Sequence, residues 1–484
     1  MKKRLLFLFV ALWLAAPAAT VRKERISRAA ALEDVDQFFS TLKRVHPNLL
    51  RNRSEEDYRK LKGQTAASVR SKADSHDEIA VEELASVLYY DVAYFRDAHT
   101  SVDWEPSLDE SNTRGKRFPA WWLFFENGRF GVAATREPAM AGVEVISING
   151  KPVLEFLRPI LDRCSGETLP GRVARFLWNE PFWYYLTNVF GGATPYIVKV
   201  RDAQGQIHES PLETLDYTDY EAFRKQGGAE RFSPNHRGTE VEFFDSGATA
   251  HFMYSSFTSS AAEKEKVDRI FREVKAKGAR NLILDLRGNP GGVSEMGEYI
   301  FRYFYAGKFR ALSKVRAKAS WDVLKDVPLW ARPVVFVLRG RVVSNTIAER
   351  AHAEPAAFFS GHVYLLVDNG SYSMAAEFAA MVRDYKAGTI VGYETGGLPI
   401  TFGGPHRFTL RHSRIPCSVA WTQDFPPNPR PGDDEHGVIP DVRLGDQDLA
   451  SFTTEQDPVL AFTLRYIEHG GGRGGGNDAQ MKVK

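Results

Sequence analysis

Asn281-Leu282-Ile283-Leu284-Asp285-Leu286-Arg287-Gly288-Asn289-Pro290-Gly291-Gly292 is the stretch that decides the fold. Its first half is a short, wholly apolar strand, and such a run belongs to a sheet covered on both faces. The strand passes directly into a Gly-rich turn and then into a helix predicted to start near Val293. A turn of this kind presents backbone N–H groups at a helix N-terminus, where they bind an anion or stabilise a developing oxyanion. Gly-rich turns after strands also occur for purely structural reasons, and that reading stays open. No Gly-Lys-Ser/Thr follows, so the turn is not a phosphate loop.

Outward from this turn the pattern repeats. Ala250 to Tyr254, Val334 to Leu338 and Val363 to Val367 read as further buried strands. Ala261 to Lys277 and Ala375 to Tyr385 read as helices. Alternation of apolar strands with helices predicts an α/β layer with a largely parallel sheet over residues 240–465. The strand Val363 to Val367 ends in Asp368-Asn369-Gly370-Ser371-Tyr372-Ser373 and enters a helix through Met374-Ala375-Ala376. A serine there is either a helix N-cap or a nucleophile held at a strand-to-helix corner, where the helix dipole favours negative charge on a substrate oxygen.

Residues 28–110 carry apolar residues at helical spacing, through Val35, Phe38, Phe39 and Leu42 and again through Leu84, Val87, Leu88 and Val92. They predict an N-terminal helical domain, its first helix broken at His46-Pro47-Asn48. Residues 118–212 are richer in short β runs and predict a mostly β module, with a hairpin-type turn at Asn149-Gly150. It also holds a helix from Val153 to Leu161 and an aromatic stretch including Trp178, Phe182, Trp183 and Tyr184. Residues 213–238 read as a connector, and residues 466–484 as a disordered Gly-rich tail.

At the N-terminus, Lys2, Lys3 and Arg4 precede an apolar run and the small residues Ala16-Pro17-Ala18. This predicts a signal peptide over residues 1–18, with a retained anchor as the alternative, and an exported protein, periplasmic or extracellular. No later run is long enough for a stable membrane span. The formal net charge of +2 and the lack of a basic stripe argue against nucleic acid. Cys164 and Cys417 are the only cysteines. They read as buried thiols, or as one long-range bridge in an oxidising compartment. No residue set has metal-ligand spacing, so neither a metal nor another cofactor is expected.

The two turn motifs, with Ile390-Val391-Gly392-Tyr393-Glu394-Thr395-Gly396-Gly397 and Gly437-Val438-Ile439-Pro440-Asp441, resemble the catalytic core of the C-terminal-processing (tail-specific) peptidases, family S41. The resemblance implies a ClpP/crotonase-like α/β core and a PDZ-like module around Ala141-Gly142-Val143 and Ile148 to Pro152. It implies that Ser373, not Ser371, is the nucleophile, with oxyanion donors at Gly291 or Gly292 and at Met374. The chain departs from the family where many members carry a catalytic lysine, since Leu398 stands there. The tricorn-like branch resembles this chain at Asp97-Ala98-His99-Thr100, which implies His99 as the base. In that branch an acid precedes the Gly-Val-x-Pro-Asp strand. This implies Glu435, with Asp434 next to it, unless Asp433-Asp434-Glu435 is only a solvated loop. A carboxylate-binding loop of peptide-binding PDZ type is not evident near Trp121-Trp122-Leu123-Phe124.

The expectation is therefore a metal-independent serine endopeptidase acting on proteins or peptides through Ser373, His99 and Glu435. Two rivals use the same scaffold. One is a non-catalytic binder of apolar ligands or peptides. The other is a crotonase-like acyl-CoA enzyme, disfavoured by the leader and by the lack of a basic cluster for CoA phosphates. Oligomeric state is not legible.

Overall fold

The computed structural model describes residues 24–51, 53–103, 114–126, 128–137, 140–178, 196–202, 204–226, 238–327, 329, 332–444 and 457–471. The expected leader, the aromatics Phe182 to Tyr184 and most of the expected tail lie outside these residues.

At the centre is a six-stranded sheet in the order Thr239–Phe244, Thr249–Tyr254, Asn281–Asp285, His362–Val367, Thr389–Gly392, Val442–Arg443. The first pair is antiparallel and all the others are parallel. Both faces are covered, which is why its strands read as unbroken apolar runs. Leu282, Leu284, Val363, Leu365 and Val367 point into one core with the helices Ala261–Ala276, Ser294–Phe301 and Met374–Tyr385. Ile283, Tyr364 and Leu366 point into a second, closed by the helix Pro458–Glu468.

A second sheet runs Val342–Thr346, Lys314–Lys318, Pro416–Phe425, Thr401–Thr409, and the two-residue strand Ser101–Val102 also pairs with Pro416–Phe425. The N-terminal helices Arg28–Val45, Glu55–Lys72 and Val81–Phe95 share one core with this sheet, through Leu410, Ile415, Cys417, Val419 and Trp421. They are therefore continuous with the α/β region rather than a separate unit. The first helix ends at Val45 with His46 as its C-cap, where the sequence predicts a break. The β module has its own core around an antiparallel sheet in the order Ile207–Pro211, Ile197–Arg201, Glu144–Ile148, Arg129–Thr135, Trp121–Glu126. Its helix Val153–Leu161 and the turn at Asn149 and Gly150, both at positive φ, lie where predicted.

Two local expectations change. Val334 to Leu338 is not a buried strand: Arg332–Val337 is a short helix with Phe336 and Val337 exposed. A short apolar run does not by itself separate helix from strand. The connector is also partly built, since it contains the helix Tyr217–Gln226. Cys164 and Cys417 are both free thiols. No helix among the described residues is long and apolar enough to cross a membrane.

The decisive turn is locked by charge. Arg287 donates to both oxygens of Asp285 at 2.9 and 2.6 Å, and to both of Asp457 at 2.8 and 2.6 Å. His251 bonds Asp285 from the neighbouring strand at 3.1 Å. Burial alone pushes the Asp285 carboxyl up, but the Arg287 charge and the His251 bond outweigh it and hold it well below the usual range. Removing one partner of such a buried pair leaves an uncompensated charge, at a cost of about 3–5 kcal/mol. Arg287→Ala is accordingly expected to lower unfolding free energy in urea by about that amount. A loss below about 1 kcal/mol, the range of a surface ion pair, would contradict this account.

Candidate active site

Ser373 sits where the strand His362–Val367 turns into the helix Met374–Tyr385. Its backbone has φ 52° and ψ −123°, a conformation that L residues avoid. The surroundings enforce it. Tyr372 N–H donates to Asn289 O at 2.9 Å, and Asn289 Nδ2 in turn donates to Tyr254 O at 2.7 Å. Asp368 accepts from Gly288 N–H and Gly370 N–H, tying the two turns together. The N-cap reading of Ser373 is not met, because its side chain makes no capping bond. Its Oγ lies 3.1 Å from His99 Nε2. Ser371 is instead fully buried and donates to Leu286 O at 2.7 Å.

His99 reaches Ser373 because the residues after it are stitched to the second sheet. Val102 pairs with Cys417 and Ser101 with Ser418. Thr100 Oγ1 accepts from Ala420 N–H at 3.1 Å. Asp97 fixes the other side: its Oδ1 accepts His99 N–H at 2.9 Å, and its Oδ2 lies 3.2 Å from His46 Nε2 and accepts from Thr100 Oγ1. His46 Nδ1 accepts Asn48 N–H, so its Nε2 carries the hydrogen given to Asp97. Burial raises Asp97, but His46, His99 and Thr100 together outweigh it and hold the carboxyl below its ordinary value. Burial lowers the His99 imidazole below 6.5, opposed by Asp97 and reinforced by Arg175.

Gly291 and Gly292 face the serine. A Cβ on Gly291 would lie 2.7 Å from Ser373 Cβ and from Met374 N, so only glycine lets the two turns meet. Gly292, at φ +144°, would put a Cβ 2.3 Å from Phe257 O. Gly291 N–H is already given to Asn289 Oδ1 at 2.8 Å. The N–H groups of Gly292 and Met374 donate to nothing among the described residues, so of the two glycines Gly292 is the free donor.

Leu398, where the family lysine would stand, is buried. Glu435 is not brought to His99. The turn at Gly432 accepts from the N–H groups of Glu435 and His436 and directs Asp434 and Glu435 to solvent. Glu435 is 72% exposed, with His436 beside it. Only Asp433 of this acidic run points inward, and Arg383 takes both its oxygens at 2.7 and 3.0 Å.

The acids beside His99 are others. One ligand atom each from Asp97, His99 and Glu167 lie within 4.8 Å of one another. Sequence reasoning quoted Asp97 within a motif without giving it a role, and passed over Glu167. The latter sits in a polar loop of the β module, with nothing in its neighbours to mark it. The three could in number hold a metal ion, but Asp97 is committed to the donors above; Glu167 accepts from the Tyr372 hydroxyl at 2.9 and 2.7 Å.

The sequence profile of peptidase family S41 matches residues 249–444. No curated protein matches the chain. Among solved structures, a CPAF mutant aligns with TM-score 0.63 at 14% identity over 91% of this chain and 98% of that one. Mature CPAF complexed with lactacystin gives TM-score 0.62 at 14% identity over 91% and 99%. At such identity the likeness is one of fold. The tricorn protease aligns with TM-score 0.36 at 13% identity over 92% of this chain and 37% of that one, too loose a likeness to assign a branch. Strand, Gly-rich turn and serine corner all fall inside the region, residues 249–444, that the peptidase family S41 profile matches.

Proposed function

We propose that the protein is a serine peptidase in which His99 is the general base for Ser373. The single observation that carries the reading is the 3.1 Å approach of His99 Nε2 to Ser373 Oγ, beside two free N–H groups. In this reading His99 Nε2 takes the Ser373 proton as Oγ attacks the scissile carbonyl carbon. The N–H groups of Gly292 and Met374 receive the oxyanion. Collapse breaks the C–N bond, and the leaving amine takes the proton from His99. Water, deprotonated by His99, then cleaves the acyl-serine ester and restores the hydroxyl. No lysine enters, consistent with Leu398. With the leader expected over residues 1–18, the proposed place of action is outside the cytoplasm, periplasmic or extracellular, and the proposed substrates are proteins or peptides.

The rival, a non-catalytic binder, does not need a strained serine against an imidazole. Fluorophosphonate labelling separates the two. Wild type and Ser371→Ala are expected to label, provided the latter folds, and Ser373→Ala and His99→Ala are not. Labelling retained in Ser373→Ala sinks the assignment. Treatment with EDTA should leave labelling unchanged, because the proposed chemistry uses only Ser373, His99 and backbone N–H groups, and the Asp97 carboxylate beside them is already taken by protein donors.

The pH dependence has a definite sign. Only neutral imidazole accepts the proton, so kcat/KM rises as pH climbs through the His99 pKa. Burial places that pKa below 6.5. The acid limb of the profile is therefore expected below pH 6.5. A profile governed only by a group titrating above about pH 8 would point to a lysine instead.

Strain offers a test that needs no substrate. Holding a non-Gly residue in the conformation of Ser373 costs on the order of 1–3 kcal/mol. Glycine relieves this but loses more chain entropy, about 0.5–1 kcal/mol. Ser373→Gly is thus expected to unfold at a higher temperature than Ser373→Ala, which keeps the strain. The reverse order would mean that the corner is not strained.

A further inference from the structure

We propose that Glu167 is a positioning residue for this reaction: its carboxylate holds the Nδ1 side of His99, so that the β module supplies the acid of the catalytic set. The inference rests on the Ser373–His99 reading.

His99 Nδ1 is buried and has no hydrogen-bond partner. An imidazole that must give and take a proton at Nε2 needs its Nδ1–H held, or the tautomer and ring orientation drift. Nε2 is turned to Ser373, so the nitrogen facing the acids is Nδ1, which lies 3.8 Å from Asp97 Oδ1. Asp97 and Glu167 thus compete for it.

Asp97 is the nearer but is already spent on three donors: His46, Thr100 and the His99 backbone. Glu167 accepts from the Tyr372 hydroxyl and from its own backbone N–H, fewer donors than Asp97 carries, and keeps lone pairs in reserve. Tyr372 precedes Ser373 and stacks on the His99 ring, with centroids 5.4 Å apart. Tyr372 therefore links Glu167, through its hydroxyl, to the His99 ring and to Ser373.

The groups facing this set come from three directions. Asp97, Thr100 and His46 lie on the N-terminal side. Tyr372 comes from the core. Arg175 comes from the module helix Leu169–Trp178, its guanidinium 5.4 Å from the Tyr372 ring centroid and bonded to Ala98 O. Burial and then the Asp97 charge raise the Glu167 carboxyl to about 7, offset in part by Tyr372 and Arg175. As the Ser373 proton moves to Nε2, the imidazolium gains a positive charge that favours ionised Glu167. The intervening gap is one that a single water or a small side-chain rotation spans.

A purely structural role would be to dock the module through Tyr372. Glu167→Gln separates the two, since the amide oxygen still accepts from Tyr372 but the charge is gone. The expected result is a fall in kcat of about 10- to 100-fold, as for loss of an orienting partner, with KM little changed. The His99 titration, followed by NMR, should shift to lower pH, because a negative charge has left its side. Glu435→Gln should keep the wild-type rate. The proposal is overturned if Glu167→Gln keeps both the wild-type kcat and the wild-type His99 titration, or if Glu435→Gln alone loses the rate. The NMR titration needs no turnover. If Ser373 fails to label yet Glu167→Gln moves the His99 titration, the pairing stands and only the peptidase reading falls. Should Glu167→Gln not fold, Tyr372→Phe keeps the ring stack and removes only the donor to Glu167. It is expected to change both kcat and the His99 titration, and no change in either overturns the proposal.

Discussion

The strand pairing of Ser101 and Val102 with Ser418 and Cys417 is the interaction on which the site depends. His99 and Ser373 are 274 positions apart. Nothing local brings them together. Two residue pairs on the edge of a sheet do so, because they fix the backbone directly after the histidine. The pairing is short, and its strength comes from its neighbours. Val102 and Cys417 are buried in the core shared with the N-terminal helices, and Thr100, also buried, ties to Ala420. Packing of the helical region and placement of His99 are thus one event. A mutation in that distant core that loosened the strand would reach the serine without touching it.

The same logic explains why the site tolerates so many buried polar groups. A buried carboxylate is costly unless it is hydrogen-bonded or paired. Asp97 meets the condition with three donors, and Asp285 with Arg287 and His251. Glu167 meets it less fully, with one hydroxyl and its own backbone N–H. Buried polar networks that are fully satisfied fix structure, whereas partly satisfied ones keep the capacity to respond to a new charge. Here the satisfied carboxylates surround the backbone of the site, and an unsatisfied atom, His99 Nδ1, lies on the far side of the ring from Ser373.

What was legible in the sequence follows from this division. The central strands could be read because burial on both faces leaves unbroken apolar runs, as at Leu282 to Leu284. The serine corner and its glycines could be read because close approach of two backbones demands residues without side chains at set positions. The family resemblance then pointed to His99. The Val334 to Leu338 run misled because the same residues suit a short exposed helix. Glu435 misled for a different reason. Sequence order places the acidic run beside the Gly437 strand entry, but the turn at Gly432 decides which of its carboxylates faces inward, and it chose Asp433. Glu167 gave no signal at all, since its place beside His99 depends on how a separate module docks.

That docking is tight where it matters. Ser165 Oγ donates to Asp97 O and Thr100 O, at 2.5 and 3.0 Å, and Thr168 Oγ1 donates to Gly396 O at 3.2 Å. A Cβ on Gly171 would lie 2.6 Å from Gly396 O, so the module helix and the core loop meet backbone to backbone. Residues 165–175 therefore touch the loop that carries His99 on one side and the loop that follows the strand Thr389–Gly392 on the other. Because each of these contacts is a hydrogen bond to backbone, it reports position rather than side-chain identity. A shift of the module by even 1 Å would lengthen several of them together, and would move Glu167 relative to Tyr372 in the same step. The geometry at Ser373 is in this sense a property of three regions at once: the helices that bury Val102, the core that strains the serine, and the module that closes over the imidazole.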